Sequence, residues 1–99
     1  MDHTDVVEAM ERIGHQVHRT PLKQSATLNA YTGGDIYMKM ENLQRTGSFK
    51  VRGAMNKIMS LPEVEAEKGI IAASAGNHAQ GVALAAARRN VSSKIFMPK

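Results

Sequence analysis

Two short segments of this sequence carry side chains that can do chemistry. The first covers residues 46–54 and contains Lys50, which we predict lies in the first turn of a helix capped by Ser48. An ammonium there faces the positive end of the helix dipole, and the apolar neighbours Phe49 and Val51 would reduce its hydration, so the position favours the neutral amine. A neutral lysine amine is the nucleophile that condenses with carbonyl compounds. The alternative is an ordinary solvated lysine near a helix start.

The second segment, residues 74–81, is predicted to be a turn of small residues between a strand and a helix. Such a turn presents free backbone N–H groups that suit a carboxylate or a phosphate, and Ser74 and Asn77 add side-chain donors. Ligands of open parallel sheets bind at this end of the strands. The alternative is a capped turn without a ligand. The glycine spacing matches neither a dinucleotide-binding fingerprint nor a Walker loop.

Alternating strands and helices must position these two segments. Polar and apolar residues alternate over residues 35–40, and short apolar strands are predicted over residues 70–73 and 93–97. Helices are predicted between them, over residues 48–61 and from the second segment to Asn90. Strand, helix, strand, helix, strand is typical of an open, mostly parallel sheet with crossover helices. The sequence therefore predicts the α/β class.

The remaining elements follow from caps and periodicity. Thr4 is predicted to cap a first helix that ends near Gly14, and Ser25 a short helix that Gly33 ends. The strand over residues 70–73 is predicted to be buried on both faces. Residues predicted to pack inward on the two later helices are Val51, Ala54, Met55, Ile58, Ala79, Val82, Ala83 and Ala86. The methionines predicted to fill the core are Met38, Met40, Met55 and Met59.

Composition excludes several classes of protein. Cysteine is absent, which excludes disulfides and thiolate metal sites, and His15 and His18 lack further ligands, so we expect no metal. The formal charge is +4, but the basic residues are scattered without interleaved aromatics, so we expect no nucleic-acid partner. No apolar stretch approaches the roughly 20 residues that cross a bilayer, and no secretory signal is recognisable. We expect a cytoplasmic protein without a membrane partner.

Taken together, the two segments resemble a known family. Residues 41–54, Glu-Asn-Leu-Gln-Arg-Thr-Gly-Ser-Phe-Lys-Val-Arg-Gly-Ala, closely resemble the cofactor-lysine motif of threonine dehydratases. Residues 74–81, Ser-Ala-Gly-Asn-His-Ala-Gln-Gly, resemble the second motif of that family, and residues 20–22 its usual first segment. Two long motifs in the right order make the resemblance specific, and it covers most of the chain. It implies the amino-terminal portion of a fold-type-II pyridoxal-phosphate enzyme.

The resemblance also implies roles for individual residues. Lys50 would be the catalytic residue, which binds pyridoxal 5'-phosphate covalently and later moves the α-proton of the substrate. Phe49 would lie near the cofactor, and Asn77 would donate a hydrogen bond to its ring hydroxyl. The loop that receives the substrate carboxylate would consist of Ser74, Ala75, Gly76, Asn77 and His78.

The implied reaction is β-elimination of water from a hydroxy amino acid. Threonine would give 2-oxobutanoate and ammonia, and serine would give pyruvate and ammonia. Serine racemases have a second serine where this sequence has Ala75, and that serine acts as the acid and base on the opposite face. Since alanine has no ionisable side chain, elimination is favoured over racemisation.

The resemblance further implies that residues 1–99 are one amino-terminal piece of the catalytic region, without an internal boundary. The glycine-rich loop that holds the cofactor phosphate would lie beyond Lys99, so we expect this chain alone to bind the cofactor weakly and to lack substantial turnover. The whole enzyme would be a homo-oligomer acting on an amino acid. Two alternatives stay open: a serine dehydratase or racemase of the same family, and a non-catalytic small α/β module that binds a partner.

Overall fold

The computed structural model describes residues 1–99, and its amino-terminal half contains a two-stranded antiparallel sheet. Its elements are α1 (His3–Ile13), β1 (Leu22–Gln24), α2 (Ala26–Thr32), β2 (Tyr37–Lys39) and the 3₁₀ turns Glu41–Leu43 and Arg45–Gly47. Strand β2 pairs with β1, with Leu22 opposite Lys39 and Gln24 opposite Tyr37. The prediction that this strand joins the parallel sheet was therefore wrong. The physical reason is the short connection through α2, which returns the chain beside β1 in the opposite direction.

The carboxyl-terminal half is a β–α–β unit preceded by a long helix. Its elements are α3 (Lys50–Ser60), α4 (Glu63–Ala66), β3 (Ile70–Ala73), α5 (Asn77–Arg89) and β4 (Ser93–Phe96). Strands β3 and β4 are parallel, with Ile70 opposite Ser93 and Ala73 opposite Phe96, and α5 is the crossover between them. Together with the helices, this parallel pair confirms the predicted α/β class.

The core lies between α3 and α5. All four residues predicted to face inward on α3 are buried, and Met55 and Val51 are 0% exposed. From α5, Ala79, Val82 and Ala86 are buried as predicted, whereas the predicted Ala83 is exposed and Ala85 takes its place in the core. The reason is that the face of α5 packed against α3 runs through Gly81, Val82 and Ala85. The methionine prediction holds for Met55 and partly for Met59, but Met38 is 38% exposed.

Only one face of the parallel sheet is covered. Ile70 and Ala72 pack against the core, while Ile71 on the same strand is 74% exposed and Phe96 on β4 is 57% exposed. The prediction that the strand over residues 70–73 is buried on both faces was therefore wrong, since Ile71 and Ala73 are exposed. The helices α3 and α5 lie against one side of the sheet, and an apolar sequence run does not reveal whether a second layer is present.

Local capping signals are mostly confirmed. The hydroxyl of Ser25 accepts a hydrogen bond from Leu28 N at 3.1 Å and caps α2, and Gly33 ends that helix with a φ of 72°. Asn90 ends α5 in the left-handed conformation, with a φ of 61°. The cap of α1 is Asp2 rather than the predicted Thr4, because Asp2 and Asp5 form a reciprocal capping box. None of the helices combines the length and apolar composition needed to span a membrane.

The centre of the core gives a direct test of the packing. Replacing the fully buried Met55 with alanine leaves a cavity between α3 and α5, and we expect a loss of about 2–5 kcal/mol in unfolding free energy. Urea unfolding of the full-length protein measures this loss. The matched control is Met59→Ala on the same helix, which is only partly buried and should cost less. Equal losses for the two variants would contradict the assignment of Met55 to the core.

Candidate functional site

Lys50 is the first residue of α3, in the first turn as predicted. Its backbone N–H donates to the hydroxyl of Ser48 at 3.3 Å, so Ser48 supports the helix start although Phe49 occupies the cap position. The amine of Lys50 forms no hydrogen bond or ion pair, and Nζ lies 5.6 Å from the centroid of the Phe49 ring. Phe49 is 61% exposed and Val51 points into the core, so the expected desolvation of Lys50 by these neighbours is not observed.

The loop before Lys50 has an unusual backbone conformation. Thr46 has a φ of 63° and Gly47 a φ of 73°. A positive φ costs little for glycine, but it is strained for a β-branched residue such as threonine. In addition, the hydroxyl of Thr46 is buried without a hydrogen-bond partner. Strain of this kind persists only where surrounding contacts fix the backbone, so contacts with other segments must hold this loop in place.

The turn after β3 joins the two strands of the parallel sheet to the start of α5. Ser74 N donates to the carbonyl oxygen of Phe96 at 3.0 Å, which ties the turn to the end of β4. The hydroxyl of Ser74 accepts from Gly76 N and from Ala79 N, each at 3.3 Å. This hydroxyl therefore acts as a cap and still has its own proton to donate.

The start of α5 presents three backbone N–H groups without a partner, those of Ala75, Asn77 and His78. Gly76 occupies the cap position and has no side chain, and the side chains of Asn77 and His78 are exposed. Free N–H groups at the positive end of a 13-residue helix favour a bound anion. The five residues predicted for a carboxylate-binding loop lie at this helix start, and their role in binding a carboxylate stays a prediction.

The two segments are brought together by the packing of α3 on α5. At Gly81, a Cβ atom would lie 3.1 Å from Val51 Cα and 3.3 Å from Val51 N. A side chain here would require the backbone of Val51 to shift by a few tenths of an ångström, and glycine avoids that shift. Val51 follows Lys50 directly, and the 3₁₀ turn Arg45–Gly47 also contacts α5. The spacing of the two motifs is therefore set by one close helix contact.

A polar network centred on Glu41 was not predicted from the sequence. The carboxylate of Glu41 accepts hydrogen bonds from Arg52, Thr20 and Gln44. The bond from Arg52 is the main cause that lowers the pKa of Glu41 to about 2, those from Thr20 and Gln44 act in the same direction, and burial opposes them. The pKa of Arg52 is raised, chiefly by its bond to Glu41. Because the pKa of Glu41 is depressed, the stabilisation is complete above its ordinary value and is lost only as the pH falls towards about 2.

Of the residues predicted for the site, only His78 lines a cavity. This cavity lies between α3 and β3, and Lys57 and Ile70 also line it. An apolar groove lies elsewhere, between α1 and α3. No group of three or more histidine, aspartate or glutamate side chains is placed to hold a metal ion.

Fold and site together define an α/β protein with an unpartnered lysine amine at the start of α3 and a turn with free backbone N–H groups at the start of α5. The family model described as pyridoxal-phosphate dependent enzyme matches residues 13–99, and the chain belongs to this family. Family membership confirms the predicted cofactor and the predicted fold class.

Similar proteins lie close in sequence and structure. An L-threonine ammonia-lyase of Thermotoga maritima is 57% identical over 95 residues, covering 96% of this chain and 24% of the relative. The catabolic L-threonine dehydratase of Escherichia coli strain K12 is 46% identical, covering 96% of this chain and 29% of the relative. The structure of maize serine racemase superposes with a TM-score of 0.92 at 41% identity, covering 98% of this chain and 30% of that one. The resemblance to threonine dehydratases is confirmed, and the chain spans less than a third of each of these proteins.

The described residues fit pyridoxal phosphate where they can be tested. The cofactor is an aldehyde on a planar aromatic ring, so it needs a primary amine that is not engaged elsewhere, and the amine of Lys50 has no partner. The ring of Phe49 is exposed beside that amine and offers an apolar surface to an aromatic group.

Proposed function

We propose that the whole protein eliminates water from L-threonine with pyridoxal phosphate, giving 2-oxobutanoate and ammonia. The observation that carries this proposal is the unpartnered amine of Lys50 on α3, together with free N–H groups at the start of α5, which packs against α3, in a chain 57% identical to an L-threonine ammonia-lyase. The reaction breaks the Cα–H and Cβ–O bonds, releases water, and ends with hydrolysis that frees ammonia. We also propose that the whole protein is a homo-oligomer in the cytoplasm.

The residues of this chain would divide the work as follows. Pyridoxal phosphate supplies an electron-withdrawing ring that stabilises the negative charge left at Cα. Lys50 would hold the cofactor and, once the substrate amine has replaced it, take the α-proton at Nζ. Phe49 would pack beside the cofactor, and Asn77 would donate to its ring hydroxyl. The substrate carboxylate would be bound by the N–H groups and side chains of the turn formed by Ser74, Ala75, Gly76, Asn77 and His78.

Borohydride reduction tests the central assignment. Reduction of the full-length protein with pyridoxal phosphate, followed by peptide mass mapping, should place the label on Lys50, and label on a different lysine would contradict the proposal. The 99-residue chain alone should bind the cofactor weakly and turn over little substrate. A well-folded full-length protein that elutes with a partner chain and lacks cofactor affinity would favour a non-catalytic binding module instead.

A second candidate function is serine dehydration or racemisation, favoured by the similarity to maize serine racemase. Comparison of threonine and serine turnover by the full-length protein decides between the substrates. The side chain of Ala75, exposed at the start of α5, favours dehydration over racemisation. Its methyl group cannot deliver a proton to the opposite face of the substrate.

Ala75→Ser tests this distinction. The wild-type protein should release no D-serine from L-serine, whereas the variant should racemise serine at least about tenfold above background, since it gains a hydroxyl that can transfer a proton. Chiral chromatography of the reaction mixture measures the product. The control is Ala75→Val, which adds bulk without a proton donor and should not racemise. D-Serine from the wild-type protein would support the racemase alternative.

A further inference from the structure

The carboxylate of Glu41 joins three parts of the chain. Its Oε1 accepts from Nε of Arg52, and its Oε2 accepts from Nη2 of Arg52 at 3.0 Å and from Oγ1 of Thr20 at 2.6 Å. Two parallel bonds between a guanidinium and a carboxylate set both the distance and the relative orientation of the groups. The carboxylate side of the pair is shielded from water, since the Glu41 side chain is 17% exposed, whereas the Arg52 side chain is 36% exposed.

Gln44 extends this connection along the backbone. Its side-chain Oε1 accepts from His18 N at 2.8 Å, and its Nε2 donates to His18 O at 2.8 Å. Arg45 adds a bond from Nε to Gln16 O at 3.0 Å. Gln44 is only 4% exposed, so these bonds form in a protected environment. The segment that precedes β1 therefore holds the loop that leads to α3.

The loop itself needs such support. It passes through Thr46 and Gly47, both with positive φ, before reaching Lys50. The left-handed conformation of Thr46 is unfavourable on its own, so contacts on both sides of the loop must maintain it. Gln44 supplies the contact before the strained residue, and Arg52 in the first turn of α3 supplies the contact after it.

The placement of Lys50 depends on the backbone at the start of α3. Its amine has no bonded partner, so the backbone at the start of α3 sets the point from which the Lys50 side chain extends. Arg52 lies in that same helical turn, two residues further on. A shift of the first turn would move Lys50 relative to the start of α5, while the buried face around Met55 would hold the rest of the helix in place.

We propose that Glu41 is a positioning residue which, by binding Arg52, fixes the first turn of α3 and so determines where Lys50 presents its amine. This inference rests on the proposed function, because it takes Lys50 as the lysine that binds the cofactor. The effect acts on geometry, and a misplacement of about 1 Å at a reacting group can reduce a rate about 100-fold.

The experiment compares cofactor attachment in wild-type and Glu41→Gln full-length protein. Apoprotein is mixed with pyridoxal phosphate, attachment is followed by absorbance, and Lys50 is verified by borohydride reduction and mass mapping. We expect the attachment rate constant to fall about 10- to 100-fold, and kcat for threonine to fall more than KM rises. The matched control is Arg12→Leu, which removes the 2.7 Å bond from Arg12 to Asn56 in the middle of α3. It should lower the melting temperature while keeping the attachment rate within about twofold of wild type.

Each outcome decides a different point. Equal attachment rates at Lys50 in wild-type and Glu41→Gln protein overturn this inference and leave the proposed function intact. Wild-type protein without label on Lys50 defeats the proposed function, and this inference falls with it. If Glu41→Gln does not fold, Arg52→Lys replaces it, since lysine keeps the charge but loses the two parallel bonds. An attachment rate about tenfold lower supports the inference, and a wild-type rate overturns it.

Discussion

Lys50→Ala in the full-length protein should abolish covalent attachment of pyridoxal phosphate and lower threonine turnover at least about 1,000-fold, or ~4 kcal/mol in activation free energy. The physical reason is that, under the proposed function, the variant lacks both the amine that bonds to the cofactor and the base that takes the α-proton. Absorbance of the bound cofactor and the rate of 2-oxobutanoate formation measure the two losses. The variant should keep its melting temperature, because the Lys50 side chain is exposed and has no partner to lose.

Lys57→Ala is the matched control for this variant. Lys57 lies on the same helix, is also exposed, and is located away from the start of α3. It should retain cofactor attachment and turnover close to wild type. Turnover that survives in Lys50→Ala would mean that Lys50 is the ordinary solvated lysine that local sequence allows, and that another group binds the cofactor.

Gly81→Ala should have the second largest effect, through the contact between α3 and α5. The added Cβ would lie 3.1 Å from Val51 Cα and 3.4 Å from Ala54 Cβ, and the Val51 backbone cannot rotate away as a side chain would. We expect a loss of about 1–3 kcal/mol in unfolding free energy, together with lower turnover because the two helix starts move apart. Urea unfolding and threonine turnover of the full-length protein measure the two effects.

Gly53→Ala on α3, the helix that packs against α5, is a control for which we expect the opposite change in stability. A Cβ at Gly53 would meet no atom within 4 Å, so alanine should stabilise α3 by about 0.5–1 kcal/mol through its higher helix propensity. The sign of the effect therefore differs between two glycines that sit in helices of similar length. If Gly81→Ala were neutral or stabilising, the close helix contact would not be what sets the spacing of the motifs.

Features that depend on neighbouring residues could be predicted from the sequence. The buried face of α3, the Ser25 cap and the left-handed Asn90 all follow from helical spacing or from the conformational preference of one residue. The β–α–β order of the carboxyl-terminal half was predictable for the same reason. Motif resemblance added the prediction of a cofactor lysine and a carboxylate-binding turn. The local sequence alone also allowed a solvated lysine and a capped turn without a ligand.

Features that depend on contacts between distant residues emerged only from the tertiary structure. The pairing of β2 with β1 and the exposure of Ile71 depend on which surfaces meet, and no local pattern encodes that. Glu41 and Arg52 meet across the strained loop that lies between them in sequence, and no single helix or strand contains both residues. For Lys50, the sequence determined the chemical group and its place at a helix start. The tertiary structure decided the contacts that hold this helix start, because they come from segments that only folding brings side by side.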